Sequence, residues 1–331
     1  MKTLSFVLLT LSILFFGACS SKKVFEPKNV AGSWDKHGSS AEGVADITSN
    51  VAMLENRTVL AKDKIIDITI AESYRLLAKS DGWIISSTID GNLMLQFISD
   101  KNMIEKFELK KTIASASIKN DMLAVLFADN EMALYSIATK ELLLKEQGDP
   151  SLAVDSRITS PHFMGELVLF PTLDGKVVII NSKLKKKLRT IIVSSEEHFN
   201  NIIYFNVIDN KIIAATGNKI LSISTKEERE KYEIRTIAYD NKDIFLTTKQ
   251  GEVVSITPDL KLNAKTKFPF AHFLGMITTE NKVYLLEKEG YIIELSKDLK
   301  EQKIYEADIE NGYVFTADKM FYVEDEFISV E

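Results

Sequence analysis

Hydrophobic and polar positions in this chain alternate in short bursts. From about Ile47 to the C-terminus, brief runs of β-branched, aliphatic and aromatic residues are separated by tight polar turns, as in Trp83-Ile84-Ile85-Ser86-Ser87-Thr88 and Val177-Val178-Ile179-Ile180. Runs of this length and composition, bounded by Gly, Asp and Asn and almost free of Pro, predict β-strands. Convincing amphipathic helices are scarce; the charged stretch 226–232 reads as a helical turn or as a long hairpin loop.

The runs come in pairs around a two-residue turn. Asp90-Gly91, Asp174-Gly175, Gly217-Asn218, Gln250-Gly251 and Glu289-Gly290 each separate a pair of apolar strands; Glu55-Asn56, Asp129-Asn130 and Asp318-Lys319 are less regular versions. Such dipeptides supply the positive φ that tight hairpins need. The turns at 56, 91, 130, 175, 217, 251, 290 and 318 recur at roughly 28–45 residues, the period of a four-stranded propeller blade. The pairs His162-Phe163, His198-Phe199 and His272-Phe273 read as the starts of equivalent inner strands. The pattern predicts an all-β fold: a β-propeller of seven or eight four-stranded blades, with eight favoured. An open solenoid would require polar capping repeats, and none is visible. Closing the ring requires 321–330 to pair with an N-terminal segment, expected within 44–60.

The N-terminus reads differently. Met1-Lys2 is a short basic start, Leu4 to Phe16 is nearly all apolar, and Gly17-Ala18 is a small pair. This order predicts a signal peptide over 1–18, too short for a comfortable membrane span. Residues 19–46 follow as a lipidated N-terminus and flexible tether, rich in Ser, Lys, Gly and Pro, and 47–331 is the propeller. Trp34 within the tether is either a docking residue or a solitary aromatic. Phe16-Gly17-Ala18-Cys19 resembles the bacterial lipobox. That resemblance implies that Cys19, the only cysteine, becomes the acylated N-terminus, and Ser20 after it implies sorting to the outer membrane.

Composition narrows the chemistry. With 47 acidic against 41 basic residues, the net charge of −6 disfavours bulk nucleic-acid binding. No cysteine remains for disulfides or zinc. The four histidines, His37, His162, His198 and His272, show no metal-ligand spacing; three of them would converge on the channel only if their strands are equivalent, and local packing beside Phe explains them more simply. No phosphate loop, HExxH or GxSxG motif occurs, so no catalytic residue, cofactor or metal site is expected. The densest positive run holds Lys183, Lys185, Lys186, Lys187 and Arg189. It is a candidate contact for a partner or for anionic headgroups, or a solvated outer hairpin that resists edge aggregation.

The repeat 166–181, Glu-Leu-Val-Leu-Phe-Pro-Thr-Leu-Asp-Gly-Lys-Val-Val-Ile-Ile-Asn, behind a lipobox resembles the PQQ-type propeller family and, within it, the BamB-like outer-membrane assembly lipoproteins. The resemblance implies a non-enzymatic periplasmic scaffold anchored in the outer membrane, a single copy within a hetero-complex, whose partner is the machinery that inserts outer-membrane β-barrels. The alternatives are an envelope protein-binding propeller for adhesion, motility or sensing, and a propeller enzyme with a site at the channel mouth.

Overall fold

The structure is a computed structural model that describes residues 23–62, 64–309 and 312–331. The signal peptide and Cys19 lie outside the described residues. Eight four-stranded antiparallel sheets form a closed propeller. Blades 1 to 7 span 44–69, 75–108, 113–147, 162–192, 204–231, 234–267 and 273–306. Blade 8 is assembled from both ends: Val314–Ala317, Met320–Val323 and Glu326–Ser329 carry His37–Ser39 as their outermost strand. His37 pairs with Ile328, Gly38 with Phe327 and Ser39 with Glu326, so the ring is closed by hydrogen bonds between the chain's two ends.

The strand patterns follow from depth in the blade. First strands of neighbouring blades touch around the axis, for example Arg75–Ser80 with Ile113–Lys119 and Ile234–Tyr239 with Phe273–Thr278. Second strands are covered on both faces by the adjoining blades, so Trp83–Ser87 and Ile244–Thr248 are buried throughout. Outer strands keep one wet face, and Ile65–Thr69 alternates between exposed and buried. The core is therefore a set of seams between blades. Ile85, Leu93 and Leu95 meet Leu123, Val125 and Phe127 between blades 2 and 3, and Val44 and Leu54 meet Phe315 and Ala317 across the closing seam. Each fully buried large side chain contributes about 1.5–3 kcal/mol.

The middle turns carry the backbone against the strand that leads to the next blade. Gly251 has φ +76°, and a Cβ there would lie 2.1 Å from the Phe268 carbonyl oxygen; Gly91, at φ +83°, would meet the Lys111 carbonyl oxygen at 2.3 Å. Only glycine fits either position.

Several expectations change. The turns are not all equivalent: Asp318-Lys319 joins the first and second strands of blade 8, whereas Asp90-Gly91 joins the second and third of blade 2; Asp318 and Lys319 are both left-handed, as a two-residue hairpin demands. Gly217 does not adopt positive φ. His162 and Phe273 open first strands, but His198-Phe199 lies in the loop before Tyr204–Ile208. The charged stretch 226–232 is neither helix nor loop: Glu227–Lys231 is the outer strand of blade 5, paired to Lys219–Ile223.

The largest correction concerns the tether. Phe25 is buried against Phe268 and Tyr291, with edge-to-face ring centroids 6.1 and 5.6 Å away. The Ala31 N–H donates to the Ile304 oxygen at 2.7 Å, the Glu306 N–H to Gly32 at 2.9 Å and the Trp34 N–H to Glu306 at 2.7 Å, which is parallel pairing along the outer strand of blade 7. Trp34 packs edge-on to Tyr305 at 5.0 Å and Tyr284 at 6.0 Å, and its Nε1 donates to the Ser329 oxygen at 2.9 Å. Residues 25–39 are thus a strap bound to blades 7 and 8, and 44–46 already belong to the first strand of blade 1. The closing strand comes from this strap, not from 44–60. Polar composition concealed it, because its backbone forms most of the contacts and only two aromatic side chains pack.

Candidate functional site

The positive run maps to the outermost hairpin of blade 4. Lys183 and Lys185 sit in its turn, with Lys185 at φ +49°, and Lys186–Ile192 is the outer strand. All five cationic side chains are exposed, as are Leu184, Leu188 and Ile192. Lys183 pairs with Glu166 at 3.2 Å, Lys187 with Glu146 at 3.1 Å, and Arg189 with Glu227 of blade 5. Arg229 of blade 5 donates to the Ile192 oxygen at 2.8 Å, tying the two outer strands together. Lys185 and Lys186 have no carboxylate partner among the described residues. The result is a strand edge with apolar side chains set among cations, two of which are uncompensated. Exposed ion pairs of this kind contribute little to stability.

A second polar cluster lies where the 148–161 loop enters blade 4. This loop accounts for the longest interval between turn markers, from Asn130 to Gly175. Asp155 accepts from the Arg157 backbone N–H at 3.0 Å and from its Nε at 2.8 Å. Burial pushes the Asp155 carboxyl up, but these bonds outweigh it and hold the group below the usual carboxylate range. Asn201 locks the same turn: the Asp155 N–H donates to Asn201 Oδ1 at 2.6 Å, and Asn201 Nδ2 donates to the Arg157 oxygen at 2.9 Å. Arg157 Nη1 then reaches the Arg235 oxygen of blade 6 at 2.5 Å. Arg235 meets His272 Nε2 through Nη1, while its buried Nε has no hydrogen-bond partner among the described residues. Burial, then the neighbouring Arg157 charge, lowers the Arg235 pKa.

Among the described residues this cluster shows no hydroxyl or thiol hydrogen-bonded to a base. Glu287 beside it is fully buried and accepts from the backbone N–H groups of His272 at 2.8 Å and Glu289 at 2.7 Å. Burial raises its pKa. Its two oxygens are used to pin the blade 7 hairpin. An open cleft of about 480 Å³ between blades 5 and 6 is lined by Asn218, Lys231, Tyr232, Glu233, Gln250 and Lys265, a mixed-charge surface without convergent catalytic groups. Among the described residues there is no group of three His, Cys, Asp or Glu side chains able to hold a metal, and no helix long and apolar enough to cross a membrane. Sequence reasoning missed Phe25, Arg157 and Arg235; only the long 130-to-175 interval signalled a loop with a task of its own.

No family model matches the chain. Two curated relatives, the plasminogen-binding protein PgbB of Helicobacter pylori strains J99 and 26695, are each 27% identical over 94% of this chain and 66% of their own length. The chain thus spans just under two thirds of those relatives. Among solved structures, BamB from Moraxella catarrhalis superposes with a TM-score of 0.67 at 11% identity, covering 89% of this chain and 99% of that one. The C-terminal WD40 domain of Sif2 gives 0.65 at 11% identity, covering 92% and 100%. The computationally designed protein Ika8 gives 0.59 at 14% identity, covering 90% and 99%. In fold, this chain is similar to these proteins.

Proposed function

We propose that the protein is a non-enzymatic scaffold of the bacterial envelope, acylated at Cys19, that holds a protein partner against the outer strand of blade 4. The observation that carries this reading is the edge itself: Leu184, Leu188 and Ile192 exposed among cations, with Lys185 and Lys186 uncompensated. Blade 7 supplies a precedent within the same molecule, since its outer strand accepts an added segment at Ser33 and Glu306. A partner strand on blade 4 would use the same backbone pairing, with acidic side chains opposite the lysines. Curated relatives that bind plasminogen support a protein-binding role.

A second reading is assistance in the assembly of outer-membrane β-barrels from the periplasmic face, favoured by the end-to-end likeness to BamB. The test combines two measurements. Purified full chain is titrated with plasminogen, and envelopes of a deletion strain are quantified for barrel proteins. Saturable binding that a Leu188→Glu, Lys185→Glu variant loses supports the first reading. A joint fall of many barrels supports the second. Neither binding nor a fall overturns both.

A further inference from the structure

Exposed aromatic side chains are unevenly placed on the two rims. The connections between blades and the middle hairpins share one rim: the Phe268 N–H donates to Gly251 at 2.8 Å, Ala307 to Gly290 at 2.9 Å, and Thr112 Oγ1 to the Ile89 oxygen at 2.7 Å. On that rim stand Ile89, Leu152, Phe199, Phe270 and Tyr313, exposed by 74, 79, 57, 57 and 54%. Each sits in a loop. The opposite rim carries Met103 and Leu184 in its turns and Ile65, Ile104, Leu142 and Leu262 at the adjoining starts of outer strands, but no exposed aromatic ring among the described residues.

The strap makes this asymmetry informative. The first described residue, Lys23, holds its Nζ 5.5 Å from the centre of the Phe270 ring, and Phe25 is already buried beside Phe268. The chain therefore enters the fold at the apolar rim. Four residue steps from Cys19 to Lys23 span at most about 14 Å when fully extended. A lipid on Cys19 would hold the rim beside Phe270 within that distance of the bilayer, where a free tether reaching to residue 46 would have left the orientation open.

We propose that the rim bearing Phe270 and Tyr313 is the membrane-facing side of the propeller, with these two aromatic rings seated at the headgroup level of the bilayer. Tyr favours that boundary because its ring is apolar and its hydroxyl polar, and Phe buries its wholly apolar ring at the acyl edge of the same layer. The rim carries charges of both signs, such as Lys249, Lys267 and Lys288 against Asp90, Glu196 and Glu289. The contact is therefore apolar and depends little on salt or on anionic lipid. Blade 4's outer strand, on the circumference of the ring, stays free for a protein. The proposal rests on the reading that Cys19 is acylated.

The experiment uses the full acylated chain in neutral phosphatidylcholine vesicles. Phe270→Cys, Tyr313→Cys and Leu184→Cys variants are labelled with an environment-sensitive fluorophore. Mass spectrometry checks Cys19 acylation and a thermal scan checks folding. The expected result is a blue shift at 270 and 313, loss of emission with lipids brominated near the headgroup boundary, and no change at 184. An acylated protein whose 270 and 313 labels remain in water overturns the orientation alone and leaves that rim to a protein partner. A Cys19 without acyl chains overturns the anchor as well.

Discussion

Replacing Trp34 with alanine separates a strap from a tether. Its indole lies edge-on to Tyr305 and Tyr284 of blade 7 and donates to Ser329 of blade 8, across the seam between those blades. Truncating a fully buried aromatic costs about 3–5 kcal/mol. Trp34 is only partly buried, so the low end applies, and about 3 kcal/mol is expected. For a fold of this length that lowers the melting temperature by roughly 4–5 °C. Trp34→Phe keeps the ring contacts but leaves the Ser329 oxygen without its donor, costing about 1 kcal/mol. The assay is thermal unfolding followed by far-UV circular dichroism and by emission from Trp83, a buried reporter in blade 2 and the only other tryptophan. The two probes should move together, because a loosened strap releases His37–Ser39 and so opens the ring. A shift within the scatter of ordinary surface substitutions, about 0.5 kcal/mol, would refute the strap.

Three further outcomes follow from the geometry. Gly251→Ala drives a methyl group into the Phe268 carbonyl at a left-handed φ, and a loss of more than about 2 kcal/mol in denaturant titrations is expected, whereas Gly217→Ala, with 3.8 Å to its nearest contact, should be close to neutral. Burial holds the His162 imidazole, 5.7 Å from the Phe205 ring, below its usual pKa, so the folded state keeps it neutral while the unfolded chain takes up a proton near pH ~6.5. Its contribution is therefore complete above that pH and declines as pH falls; melting temperatures of wild type and His162→Gln should diverge between pH ~7.5 and ~5.5, and parallel slopes would contradict the assignment. Lys185→Glu with Lys186→Glu should leave stability within about 0.5 kcal/mol, since both side chains are exposed and unpaired, and an unchanged melting temperature checks it.

The ring was legible because its signals are local. A turn such as Asp90-Gly91 states its geometry in two residues, and an apolar run of strand formers on either side states the hairpin, so eight markers revealed eight blades even though Asp318-Lys319 belongs to a different pair of strands. The strap was illegible for the opposite reason. His37-Gly38-Ser39 has no hydrophobic period, and its strand character comes wholly from Glu326–Ser329, nearly three hundred residues away. Glu227–Lys231 is similar: five exposed charged residues carry no inward face, and only the ladder to Lys219–Ile223 decides their conformation. For the candidate site, the sequence located the lysines but not their compensation. Which of them lack a carboxylate depends on Glu146 and Glu166 within blade 3 and blade 4, and on Glu227 from blade 5.

Capture from the envelope is the sharpest trial of blade 4's outer strand as the place that holds a protein partner. Full chain and two variants are immobilised and offered detergent-solubilised envelope proteins, with captured partners quantified by mass spectrometry. One variant carries Leu188→Glu and Lys185→Glu on blade 4; the other carries Leu262→Glu on the equally exposed outer strand of blade 6. A partner retained by wild type and by the blade 6 variant, and lost from the blade 4 variant, is the predicted result; equal retention by both variants would contradict it.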